Sequence, residues 1–187
     1  ATSGPPANGE KMMLSLPRTS RRLRSVMVMA VAAVTPVTIA MGASTPKPYP
    51  GEAAFRGLYR ELVETNTTLS VGSCTAAAEK MAARLQRAGM PAASLQILAP
   101  AEFPQSGSLI ASYPGKDAQL EPIMLLAHID VVEARREDWV RDPFTLVEED
   151  GFFYARGASD DKAMAAIFTD LLVRWSEQHY RPQRGVT

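Results

Sequence analysis

Between residues 52 and 65, apolar side chains recur at Phe55, Leu58, Tyr59, Leu62 and Val63, three and four positions apart, the spacing of one face of an α-helix. The polar, glycine-containing stretch TNTTLSVGS that follows predicts a loop. Ser73 then stands where a helix N-cap belongs, ahead of a second stripe at Ala77, Met81, Leu85 and Ala88, and Gly89 suits the end of that helix. SLQILA and SLIASY are bounded by proline and glycine and predict short strands. PIMLLAHI is apolar at nearly every position, the pattern of a central strand covered by helices on both faces. FTLVEEDGFFYAR alternates around Asp150 and Gly151 and predicts a hairpin. Residues 161–178 carry Met164, Ile167, Phe168, Leu171, Leu172 and Trp175, predicting a third helix with one apolar face. Helices, then strands, then a helix behind a buried strand predict a layered α/β sheet. No internal repeat is visible.

A length of 187 residues allows one ordinary domain with its own core, and 46% apolar against 21% charged residues is a globular composition. The 20 Lys+Arg balance the 20 Asp+Glu, which excludes a nucleic-acid binder working through a basic patch. The balance hides an asymmetry. Lys11, Arg18, Arg21, Arg22 and Arg24 face only Glu10 before Ser44, so the remainder is acidic. LPRTSRRLRS precedes the apolar run 26–43, which is short for a spanning helix and interrupted by Thr35, Pro36 and Thr38. Small residues follow at Gly42, Ala43 and Ser44, in the order of a secretory signal. The expected organisation is a leader and signal peptide at 1–43, a proline-rich linker at 44–51 and a folded domain at 52–187. A secreted or periplasmic location follows, with membrane anchoring if the signal stays uncleaved. A single cysteine, Cys74, forms no intrachain disulfide and supports no zinc-finger or thioredoxin reading. It reads as a small apolar residue on a helix.

Composition leaves the chemistry open, and two short stretches narrow it. His128 and Asp130 lie two apart on a predicted strand and therefore share a face, near the carboxyl end where open α/β sheets bind ligands. A carboxylate beside an imidazole fixes its tautomer and raises its basicity, as a metal-ligating histidine needs. The plainer alternative is a hydrogen-bonded pair at a strand end. In GASDDKA, Asp160 and Asp161 follow Gly157 and Ser159 at a loop-to-helix junction, where helix capping is the plainer reading. Two carboxylates together with a histidine suit a borderline-hard divalent metal.

The stretch LLAHIDVVEARREDWVRDPFTLVEEDGFFYARGASDDKAMAA resembles the dinuclear zinc metallopeptidases that include aminoacylase, glutamate carboxypeptidase and succinyl-diaminopimelate desuccinylase. The elements that agree are His128, Asp130, Trp139, Pro143, Phe144, Gly151, Tyr154, Arg156, Gly157, Asp160 and Lys162, in the family's order. The likeness covers about residues 52–180, weakly before PIMLLAH and strongly after it. It implies a three-layer αβα zinc-peptidase-like sheet, incomplete at the C-terminal side, with 52–187 as the N-terminal part of the catalytic domain. His128 would bind one zinc, Asp160 would bridge two, and Asp130 would be the catalytic-site carboxylate that holds and tunes His128. Asp161 falls at a variable position outside the site, and Ala163 stands where the family has glycine. Two zinc ions are the implied cofactor, with cobalt or manganese able to substitute. The implied reaction is attack of metal-activated water on a peptide or N-acyl amide bond. The partners would be a small peptide or N-acyl amino acid, with no nucleic acid, and no membrane after signal cleavage. The homodimer of full-length members would need a lid that is absent here. The family's general-base glutamate and remaining ligands lie beyond the residues given, so the chain alone is expected to be inactive.

Two other readings stay open. Aminopeptidases of the neighbouring zinc clan also use His-x-Asp, but carry Asn after the second Asp; Lys162 and DWVRDPF favour the first reading. A secreted, non-catalytic interaction domain would keep the fold without the chemistry, and the encoded sequence past Thr187 would discriminate it.

Overall fold

The periodic run that begins at Glu52 forms helix α1 (Glu52–Glu64), burying Leu58, Tyr59, Leu62 and Val63 on one face. The computed structural model describes residues 49–187, all within one unit, Pro46–Thr187. The predicted leader and signal peptide at 1–43, and most of the linker at 44–51, lie outside the described residues. Helix α2 (Cys74–Arg87) starts at the predicted cap: the Ser73 side chain accepts from the Ala76 amide at 3.0 Å. It ends in a Schellman motif. Gly89 takes φ +100°, its amide donates to Gln86 O at 2.9 Å, and the Met90 amide donates to Leu85 O at 3.0 Å. Met90 is then buried beneath the helix end.

Strands β1 (Leu95–Leu98) and β2 (Ser108–Ala111) pair antiparallel, with Leu95 opposite Ala111 and Leu98 opposite Ser108. Strands β3 (Val147–Glu149) and β4 (Phe152–Tyr154) form the predicted hairpin. Asp150 and Gly151 both have positive φ, +52° and +79°, which matches the twist of a two-residue primed turn. Helix α3 (Lys162–Glu177) packs against α1 and α2.

The apolar faces of the helices meet in a core of Leu58, Tyr59, Leu62 and Val63 from α1, Ala77 and Met81 from α2, Ala166 from α3, and Leu146. A second cluster joins Leu85, Met90, Leu172 and Val186.

Two expectations change. Residues 122–131 run extended but form no strand ladder among the described residues; Ile123 makes a single bridge, to Val186. The run is covered on one face only. Leu125 and Ile129 turn inward to the two clusters, whereas Met124 and Leu126 are 74% and 83% exposed. Period-two alternation makes that division. Likewise, Met164 and Ile167 of α3 lie exposed, and the stripe that turns inward is Lys162, Ala166, Thr169, Asp170 and Leu172. A hydrophobicity pattern passes over that stripe because it contains a lysine, a threonine and an aspartate, each satisfied by a partner. Thr169 Oγ1 donates to Ala165 O at 2.8 Å, and Arg174 Nε donates to Asp170 Oδ2 at 2.7 Å.

Candidate metal centre

His128 and Asp130 leave the extended run on its outer face, as their spacing requires. Asp160 comes from the loop that enters α3. These two segments bring His128 Nε2 to 2.9 Å from Asp160 Oδ1, while Asp130 Oδ1 lies 3.2 Å from His128 Nδ1. All three side chains are exposed, so solvent or an ion reaches both ring nitrogens' partners. The His128 pKa is raised, chiefly by the hydrogen bond to Asp160; burial opposes the rise, and the Asp130 carbonyl and charge add to it.

Three contacts hold the Asp160 loop. Lys162 has no exposed surface, and its Nζ donates to Thr65 O at 2.7 Å and reaches Val63 O at 3.5 Å, at the carbonyl end of α1. A cation there meets the negative end of the helix dipole. Tyr59 Oη donates to Ala158 O at 2.5 Å. Gly157 sits at φ +79°, and a Cβ there would fall 2.7 Å from Val131 Cγ1 and 3.1 Å from Lys162 Cδ. The strand side is held from the same direction. Thr67 Oγ1 donates to Ile129 O at 2.6 Å and the Val131 amide donates to Thr67 O at 3.3 Å. The α1–α2 loop thus braces both segments that carry the candidate ligands.

The loop between these segments is also tied down. The Arg156 amide donates to Pro143 O at 2.7 Å, and its guanidinium lies 5.1 Å from the centre of the Trp139 ring. This is the physical content of the Trp139, Pro143, Arg156 pattern in the sequence. Burial lowers the Lys162 ammonium to about 8, opposed by Cys74 and aided by Lys80.

A cavity of about 630 Å³ opens beside His128 and Asp130, with Thr67, Cys74, Leu109 and Leu126 among its walls. Cys74 opens α2, as its reading as a helix residue required, and it is half-buried on that wall. Its thiol pKa is raised, first by burial and then by Asp130. Asp161 is the N-cap of α3 by backbone position yet makes no side-chain cap bond, and Asp160 bonds His128 rather than the helix end. Ala163 packs at the edge of the first core cluster. His179 lies exposed past the end of α3, away from this centre.

An imidazole nitrogen and a carboxylate oxygen are the donor types a divalent zinc, cobalt or manganese ion takes. Among the described residues, no group of three or more His, Cys, Asp or Glu side chains is placed to hold a metal ion.

Residues 124–187, the segment that carries His128, Asp130 and Asp160, match peptidase family M20/M25/M40. The match covers this segment alone. Mouse N-fatty-acyl-amino acid synthase/hydrolase PM20D1 is 42% identical over 71 residues, 38% of this chain and 14% of that protein. Rat aminoacylase-1A is 32% identical over 78 residues, 41% of this chain and 19% of that protein. The chain therefore spans less than a fifth of the length of these relatives. Among solved structures, human carnosine dipeptidase 1 superposes with a TM-score of 0.54 at 22% identity, over 73% of this chain and 31% of that one. The di-peptidase Dug1p of Saccharomyces cerevisiae gives 0.56 at 17%, over the same shares. These likenesses fix the fold as the α/β fold of these two dipeptidases, present here in part, as the resemblance implied. The matched segment is thus similar to part of an N-fatty-acyl-amino acid synthase/hydrolase, an aminoacylase and an acetylornithine deacetylase.

Proposed function

We propose that the chain carries two metal ligands, His128 and Asp160, of a zinc-dependent hydrolase that cleaves an amide bond in N-acyl amino acids or small peptides. The observation that supports this most is the approach of His128 Nε2 to Asp160 Oδ1 at 2.9 Å, across 32 positions of sequence. With the ring protonated, Nδ1 donates to the Asp130 carbonyl at 3.3 Å, with the Asp130 carboxylate 3.2 Å away, and Nε2 donates to Asp160; a bound metal would take the place of the Nε2 proton. The second oxygen of Asp160 stays open to solvent, which suits a bridging role. A bound zinc pair would polarise the substrate carbonyl and lower the pKa of water. Leu69 and Leu126, both exposed on the cavity wall beside His128, suit an apolar acyl chain.

Catalytic zinc takes three protein ligands, and two hold it weakly. This polypeptide by itself is therefore read as catalytically silent. Residues 1–43 are read as a secretory signal that sends the domain to the periplasm or outside.

A cobalt(II) titration followed by visible absorption tests the metal assignment. The chain should take up the ion weakly, with its spectrum perturbed through His128, and Asp160→Ala should abolish that uptake. Unchanged uptake in Asp160→Ala would remove Asp160 from the site. Tight binding of two zinc ions, with turnover of an N-acyl amino acid by residues 44–187, would overturn the silent reading.

A further inference from the structure

Glu133 lies three residues past Asp130, and its carboxylate closes on a single distant residue. Oε1 accepts from the Ser70 amide at 3.0 Å, and Oε2 accepts from the Ser70 hydroxyl at 2.8 Å. Both residues are exposed, where one bond to a charge contributes little. Two donors from one residue, one of them a backbone amide, fix the direction of the carboxylate as well.

The loop that supplies Ser70 is internally bonded. Asn66 Oδ1 accepts from both the amide and the hydroxyl of Thr68 at 2.9 Å. The Gly72 amide donates to Thr68 O at 3.0 Å, and the Ser73 amide donates to Asn66 O at 2.9 Å. A Cβ on Gly72 would fall 2.7 Å from Thr67 Cα. Contacts between this loop and the extended run advance in the same sense along both: Thr67 bonds residues 129 and 131, and Ser70 bonds Glu133. Such a seam sets register. A slip of one position would turn Ala127 and Ile129 to the face that now presents His128 and Asp130.

The backbone of Glu133 faces the other half of the centre. Arg156 Nη2 donates to Glu133 O at 3.5 Å, and the same guanidinium stands over the Trp139 ring. Arg156 Nε is buried without a partner, so among the described residues Glu133 O is the acceptor that side chain uses. Arg156 stands four residues before Asp160.

We propose that Glu133 is a positioning residue of the metal centre, closed on Ser70 by its side chain and on Arg156 by its carbonyl. Through Ser70 it fixes the register of residues 128–133 on the α1–α2 loop. Through Arg156 it ties that run to the segment that leads to Asp160. Both candidate ligands are thereby located from one residue. This role rests on the metal reading of His128 and Asp160, but the placement it sets is measurable without a metal.

The test compares the full chain with Glu133→Ala and Glu133→Gln. Glutamine keeps the length and both contacts, its oxygen accepting from the Ser70 amide and its NH2 donating to the Ser70 hydroxyl, while removing the charge. In the metal-free chain, the nuclear Overhauser contact between the His128 ring and the Asp160 β-protons should be lost in Glu133→Ala and kept in Glu133→Gln. Cobalt(II) uptake should weaken about ten-fold in Glu133→Ala and stay within about two-fold in Glu133→Gln. The ring contact between Tyr59 and Phe153 should persist in both, marking a folded chain. Should Glu133→Ala not fold, Ser70→Ala removes the hydroxyl bond alone and should give the same changes in smaller degree. An unchanged His128–Asp160 contact in Glu133→Ala overturns the proposal. Equal loss in Glu133→Gln overturns it too, since charge rather than placement would then be the agent. A wild-type chain that takes up no cobalt removes the metal reading, and the metal-free contact still decides whether Glu133 sets the placement.

Discussion

Lys162 Nζ donates to the carbonyl of Thr65 at 2.7 Å, with no part of the side chain exposed. The link joins the first residue of α3 to the end of α1, two positions from Asp160. Burial holds the folded-state pKa near 8, below the ordinary 10.5. Between those values the unfolded chain binds more protons than the folded one, so stability should rise with pH across that window. The ceiling is roughly 3 kcal/mol at about 1.4 kcal/mol per unit. In Lys162→Met the rise should vanish. Denaturant melts of both proteins from pH 7 to 10.5 measure it, and parallel curves would show that Lys162 is not the group responsible.

His128 titrates in the opposite sense. Its pKa is raised by Asp160 first, so the contact stabilises the fold fully below about pH 6.5 and is lost as pH rises through the raised folded value. In Asp160→Asn the titration should move down toward the ordinary histidine range. An NMR titration of the ring Cε1 proton follows it directly. Metal binding needs the neutral ring, so uptake should strengthen with rising pH over the same window and release protons.

Gly157 should tolerate no side chain. A left-handed residue with a Cβ costs about 1–2 kcal/mol before any crowding, and here the Cβ would meet Val131 and Lys162. Gly157→Ala should lower stability by at least that amount and displace Asp160 from His128. Chemical denaturation gives the first quantity, and the His128 titration gives the second.

Thr67→Val removes the donor to Ile129 O while nearly preserving volume. The cost should be about 1–2 kcal/mol. If the α1–α2 loop braces the strand side, the Val131 amide should also exchange several-fold faster, although its own acceptor, Thr67 O, remains in place.

The helices were legible where apolar spacing and end residues agreed. Ser73 and Gly89 marked α2 because capping is local chemistry, and Asp150-Gly151 marked the hairpin for the same reason. The inward face of α3 was not legible, because its stripe is led by Lys162 and includes Thr169 and Asp170, whose burial depends on partners far away in sequence. The extended run read as a strand covered on both faces. Its composition is right for that, but among the described residues the helices cover one face. At the candidate metal centre, the His128–Asp130 pairing followed from period two, whereas the approach of Asp160 rested on family resemblance. Thr67 gave no signal at all: a threonine in a polar loop carries no mark of the carbonyl it will serve. The family pattern included Lys162, yet only the fold gives it a role.

The alternation along residues 122–131 also sorts the methionines by chemical vulnerability. Met124, on the outer face, meets any dissolved peroxide, while Met81 and Met90, at 4% exposure each, sit behind packed side chains. Brief oxidation should therefore convert Met124 to its sulfoxide well before the other two. The outer face of that run would gain a polar oxygen while the helix core kept its thioethers, leaving a covalent record of which side of the chain had faced water.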